Sequence, residues 1–185
     1  MNFRLTSFLE VFFKIVIITI LLSLMLVVQA SDIDLGHISN ADFPNASFYD
    51  LTIHGNIVEI AQAGERNLTQ VQQVGIKNST TVEQLGIDNT ALLSQSGITN
   101  LIVLAQDGVL NQILTQQTGV FNTANIYQYG IDNVSDLFQS GSNNFADIEQ
   151  AGNNNLATIT QLGYGQSTVV KQFGDNNTAV VFQSN

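Results

Sequence analysis

The sequence predicts an all-β fold: a parallel two-sheet β-solenoid with 22 residues per coil, each coil built from two 11-residue strand–turn units. Three periodic features predict it. A glutamine returns every eleven residues, at Gln62, Gln73, Gln84, Gln95, Gln106, Gln117, Gln128, Gln139, Gln150, Gln161, Gln172 and Gln183. Two residues after each glutamine but the last stands a glycine: Gly64, Gly75, Gly86, Gly97, Gly108, Gly119, Gly130, Gly141, Gly152, Gly163 and Gly174. Three residues after each glycine stands an asparagine, at Asn67, Asn78, Asn89, Asn100, Asn111, Asn122, Asn133, Asn144, Asn155 and Asn177, with Gln166 as the exception.

Residues 1–30 have the layout of a secretory signal peptide. Arg4 and Lys14 precede an Ile/Leu/Val run over 15–28, and Val28-Gln29-Ala30 is spaced for cleavage after Ala30. A membrane anchor is the rival reading. Glu10 and Lys14 interrupt the longer apolar stretch, however, and what remains is shorter than the roughly 20 residues a spanning helix needs.

Residues 31–56 lack the period. They hold the only proline, Pro44, and both histidines, His37 and His54, and read as an irregular leader. A recognition handle for export and a flexible terminus both fit that segment. Two distant histidines are no metal signature, and a chain of 185 residues without cysteine excludes thiolate chemistry. No cofactor or metal is implied. A formal charge of −10 argues against nucleic acid as a partner.

Residues 57–185 are the repeats. With the glutamine numbered six, position four is Ile, Val or Leu in every unit but that of Thr115. Position two is small or β-branched. Positions two, four and six share one face of an extended strand, so that face is a constant interior and the alternate face is variable and exposed. A helical coiled coil also has an eleven-residue period. A glycine in every unit, at about 1 kcal/mol each against alanine, makes that helix implausible. The spacing predicts a strand of about six residues, then a turn at the glycine, with the asparagine also adopting turn angles. Stacking at ~4.8 Å then places Gln on Gln and Asn on Asn, which satisfies amides inside a thin core. Six coils make a block roughly 27 Å tall at that spacing, with bare edges at both ends. A head-to-tail contact that never closes gives a filament.

These residues resemble the repeat of curlin, the subunit family of bacterial curli fibres. The stretches Asn125-Ile126-Tyr127-Gln128-Tyr129-Gly130 and Phe145–Asn155 carry the likeness most strongly. The resemblance implies an amyloid-like solenoid without enzymatic activity. It further implies a secreted, cell-surface fibre (fimbrium) of biofilms and adhesion, assembled from self and a partner curlin subunit through outer-membrane secretion and assembly machinery, with no small-molecule substrate. The family has a major, fibre-forming subunit and a minor subunit that nucleates growth. A leader that is not glycine-rich favours the minor one. Against it, Lys171 is the one basic residue near the end, where the nucleator's last repeat is basic.

Two other functions compete. A monomeric solenoid adhesin could use Tyr127, Phe138 and Phe182 at position five as a sticky patch, but it needs capped ends. A solenoid enzyme would need converging acids such as Asp136, Asp147 and Glu149, which read better as charges that limit non-native strand pairing. The acidic turn residues Asp88, Asp107, Asp132 and Asp175 are expected to slow assembly by repulsion between coils.

Overall fold

A computed structural model describes residues 26–31, 46–50 and 55–185, with side chains over 55–185. Most of the expected signal peptide lies outside the described residues, as do His37, Pro44 and His54. The strands are β1 (Leu26–Ser31), β2 (Ala46–Asp50), β3 (Ile57–Glu65), β4 (Leu68–Ile76), β5 (Ser79–Ile87), β6 (Thr90–Ile98), β7 (Leu101–Val109), β8 (Gln112–Val120), β9 (Thr123–Ile131), β10 (Val134–Ser142), β11 (Phe145–Asn153), β12 (Leu156–Tyr164), β13 (Ser167–Phe173) and β14 (Thr178–Ser184).

Odd-numbered strands form one seven-stranded sheet and even-numbered strands the other, each in coil order. From β3 to β14 every pair is parallel, and residue i faces residue i+22: Gln62 lies opposite Gln84, and Gln73 opposite Gln95. The result is a β-solenoid of about six turns. The interior alternates as the pattern predicts. Ile60, Leu104, Ile126, Ile148 and Ile159 are fully buried at position four, beside fully buried glutamines at position six. Burying one such aliphatic side chain is worth roughly 1.5–3 kcal/mol, so each coil adds two large apolar increments to a core only two side chains thick.

The turn differs from the expectation. The strands run nine residues in most units, and the glycine stays inside the ladder, Gly64 opposite Gly86. Its φ lies in the positive range, +108° at Gly64 and +140° at Gly108. A Cβ on Gly108 would sit 1.9 Å from the carbonyl oxygen of Gly130 in the next coil. The glycine is therefore required by the close approach of stacked backbones as much as by its angles. The left-handed turn falls two places later, on Arg66, Lys77, Asp88, Thr99, Leu110, Phe121, Asp132, Asn143, Asn154 and Asn176, with φ between 55° and 60°, and on Gly165 in the remaining unit. The ladder asparagines are absent from that set. They bond the turn rather than form it.

The ends differ as well. Bare edges are expected at both, but β1 runs antiparallel along β3, Leu26 opposite Gln62, and β2 runs parallel along β4, Asp50 opposite Gln73. The leader thus contributes a strand over Ala46–Asp50. At the other end β13 and β14 have no further strand beside them among the described residues.

Candidate functional site

Among the described residues the acids form no converging cleft. Asp136 lies on β10, in the even sheet, while Asp147 and Glu149 lie on β11, in the odd sheet, so the three stand on opposite outer faces. Tyr127 is likewise separated from Phe138 and Phe182 by the thickness of the solenoid. What the fold assembles instead is two sets of amide columns and the ends where they stop.

The glutamine columns run in one sense. Each Nε2 donates to the Oε1 of the glutamine 22 residues on: Gln73 to Gln95 at 2.7 Å, Gln95 to Gln117 at 2.9 Å, Gln117 to Gln139 at 2.8 Å, Gln139 to Gln161 at 2.8 Å and Gln161 to Gln183 at 2.9 Å. The odd-sheet column does the same from Gln62 through Gln84, Gln106, Gln128 and Gln150 to Gln172. The second amide hydrogen crosses the core to the backbone of the facing sheet, as from Gln84 to the Leu68 carbonyl at 3.2 Å and from Gln117 to the Leu101 carbonyl at 3.0 Å. A glutamine with a rung on both sides is thus paired along the column and across it, so the desolvation cost of burying it is offset.

The asparagine columns run in the opposite sense. The backbone N–H and Nδ2 of Asn89 donate back to Asn67 Oδ1 at 3.1 Å, and the same pattern links Asn111 to Asn89, Asn133 to Asn111, Asn155 to Asn133 and Asn177 to Asn155. The second asparagine column links Asn78, Asn100, Asn122 and Asn144. Each Nδ2 also holds its turn, as Asn67 does on the Ala63 and Gly86 carbonyls at 3.0 Å. Gln166 takes the missing asparagine's place, donating its backbone N–H to Asn144 Oδ1 and its Nε2 to the Leu162 carbonyl, but its own buried Oε1 has no partner.

Sequence reading missed two participants and marked a third, Thr115, only as an exception to the pattern. Asn56, ahead of the first unit, heads a column: its Oδ1 accepts from the Asn78 backbone at 2.9 Å. Hydroxyls at position two join the glutamines of the facing sheet, Thr80 donating to Gln95 and Ser135 to Gln150 at 2.9 and 2.8 Å. The recurrence of Thr and Ser seven residues after a glutamine was the available signal. Thr115 is the third. It stands in an aliphatic column, fully buried, and its hydroxyl has no partner.

The acids do not all repel. Asp88 accepts two hydrogen bonds from the Arg66 guanidinium at 2.7 Å, which hold its carboxyl below the ordinary range and raise Arg66. Asp175 accepts from the Asn153 backbone and side chain. Lys171 donates to Glu149 at 2.6 Å and is raised by that bond. Asp107, expected at a turn, lies within β7 instead; of the other three acids, Asp88 and Asp175 join neighbouring coils, because a coil stacks each turn residue directly on its counterpart.

The ends are chemically complementary. At the N-terminal end, Gln73 Oε1 is buried with no partner. Asp50, its neighbour in the β2 register, belongs to a residue type whose carboxylate cannot donate. At the other end of the stack, among the described residues, Gln172 and Gln183 turn Nε2 only to the Leu156 and Ser167 carbonyls and donate to no glutamine. Around them Val169, Phe173, Val180 and Phe182 are 56–71% exposed.

No curated protein matches the chain. A family model described as the Curlin associated repeat matches residues 64–97, 122–152, 132–163 and 152–184, together just over half of the sequence. That repeat on a β-solenoid implies a structural, non-enzymatic protein that self-assembles into extracellular curli fibres. The chain belongs to the curlin repeat family.

Proposed function

We propose that this protein is the minor, nucleating subunit of a curli-type amyloid fibre, exported through a signal peptide over residues 1–30 and the outer-membrane machinery, and starting fibre growth at the cell surface in biofilm formation and adhesion. The ladder glutamines, turn glycines and ladder asparagines are its working residues, and residues 57–185 its assembling unit. The unfinished columns carry this reading. Donors at Gln172 and Gln183 face outward at one end, and an acceptor without a donor, Gln73 Oε1, waits at the other. A second curlin subunit added in register continues the backbone ladder and both amide columns. Cleavage after Ala30 would remove all of β1 but Ser31, leaving the edge of β3 free. β2 would then be displaced by a strand that brings a glutamine opposite Gln73.

The second reading is a major, fibre-forming subunit, favoured by the lack of a basic final repeat. Adding residues 31–185 at trace level to an unfolded major curlin subunit separates the two. A nucleator abolishes the partner's lag and forms fibres with ~4.8 and ~10 Å spacings. A major subunit forms fibres but leaves the partner's lag largely intact. A stable soluble monomer would contradict both.

A further inference from the structure

The charges are segregated by face. Of the ten acidic residues in 55–185, five (Glu59, Glu83, Asp107, Asp147 and Glu149) stand on the outward face of the odd sheet. Four more follow: Glu65 ends β3, and Asp88, Asp132 and Asp175 stand at the turns that leave that sheet, where two bases, Arg66 at a turn and Lys171 on the outward face, offset only part of the charge. The outward face of the even sheet carries Asp136 alone, and the turns that leave it carry only Lys77. Exposed aliphatic and aromatic side chains occur on both faces, Leu85 and Tyr129 on one, Leu92 and Leu114 on the other. Apolarity therefore does not distinguish the faces. Charge does.

We propose that the outward face of the even sheet is a lateral docking surface for the same face of a second filament of this chain. The proposal rests on the filament reading above. Two β-sheets pack about 10 Å apart, close to the ~8 Å screening length at physiological salt. Odd faces brought together would confront rows of carboxylates at about that distance. Even faces confront Leu92, Leu114, Thr158 and Val180 along the column of Asp136, and Gln72, Ser94, Gln116 and Thr160 along the next. Uncharged amides, hydroxyls and aliphatic side chains on a flat parallel sheet are what dry, interdigitated sheet pairs are made of. Asp136 avoids its counterpart when the two filaments are offset by one rung. The odd face, with its carboxylates, stays in water and limits the association to two filaments.

The test uses the cleaved chain, residues 31–185, assembled into fibres. L92E/Q116E charges the even face, and T81E/N125E adds the same charge to the odd face. Wild type and T81E/N125E are expected to form paired filaments. L92E/Q116E is expected to form single filaments of half the width, with dye-reported growth within about twofold of wild type. Native cysteine is absent, so L114C and V103C place unique thiols on the even and odd faces. In one filament identical thiols lie six rungs apart, roughly 29 Å at the usual spacing, beyond a short bis-maleimide. L114C fibres are expected to yield covalent dimers and V103C fibres not. Pairing retained in L92E/Q116E, equal cross-linking of V103C, or single filaments of the wild type would overturn the proposal. Absence of fibres from the wild type would overturn the filament reading itself.

Discussion

Gln117 and Gln183 hold the same place in their units and live in different surroundings. Gln117 is fully buried, accepts from Gln95, and donates to Gln139 and to the Leu101 carbonyl. Gln183 accepts from Gln161 and Thr168, but its own amide reaches only the Ser167 carbonyl, at 3.3 Å, on an uncovered rung. In the middle of the solenoid the chain satisfies itself. At the end the same residue leaves its work for another molecule. The difference teaches that folding and assembly use one set of bonds, and that a substitution separates the two only by its position along the stack.

The largest effect is expected at the glycines. Gly108→Ala drives a Cβ into the Gly130 carbonyl and should cost more than about 3 kcal/mol, the combined result of a backbone clash and forbidden angles. Circular dichroism should report no solenoid, and no fibres should form. Gly174→Ala meets nothing nearer than Asn177 Nδ2 at 4.0 Å within the chain and bears only the strain of its φ of +94°, so the coil should be weakened less than in Gly108→Ala while addition of the next subunit fails. Equal loss of solenoid in both variants would erase the distinction between middle and end.

Glutamine substitutions come next. Gln62→Ala or Gln172→Ala should lengthen the lag more than Gln117→Ala, because the terminal residues alone face the incoming molecule. Gln117→Ala should instead lower the free energy of unfolding by about 1–3 kcal/mol for stranded partners, read as a lower denaturant midpoint. Identical lags for all three would remove the special role of the ends.

Thr115 sharpens the comparison from the other side. Its unpartnered hydroxyl is a defect in the middle of the stack, so Thr115→Val should stabilise the fold by about 1–2 kcal/mol without changing the lag. Denaturant titration and dye kinetics on one sample check both halves.

The smallest effects concern two exposed ion pairs, one near each end. Arg66 lowers the titration of Asp88, so that pair contributes above the usual carboxylate range and is lost as pH falls through the lowered value. Glu149 raises Lys171, so that pair contributes below the usual lysine range and is lost as pH rises through the raised value. Acid should loosen the β3–β5 contact and alkali the β11–β13 contact. Hydrogen exchange of those strands on either side of neutrality reads the difference, and salt should shrink it.

Much of this was legible in the sequence because a stacked coil repeats its demands. Each glutamine meets another glutamine, so the position admits one residue type and the period stands out. The turn was not legible. Its left-handed residue is Arg66 in one unit, Leu110 in another and Phe121 in a third. Backbone bonds from that residue to the coil below, as from Leu110 to Ile87 at 3.0 Å, hold the angle whatever the side chain. The glycine was expected for its angles, when its absent side chain also makes room for the neighbouring carbonyl. β2 was hidden for a different reason. Ala46, Phe48 and Asp50 take the register of positions two, four and six, yet without the glutamine or glycine that marks a unit. The pairing of Arg66 with Asp88 was concealed by 22 residues of intervening chain, a separation that only the coil length converts into contact.

The most direct test of the central claim is a near-atomic image of fibres grown from residues 31–185. The account predicts an unbroken parallel stack in which β13 and β14 of one copy lie against β3 and β4 of the next, Gln183 donating to Gln73 and β2 displaced. A fibre in which each chain occupies a single flat layer, or in which β2 still covers β4 at every junction, would contradict it.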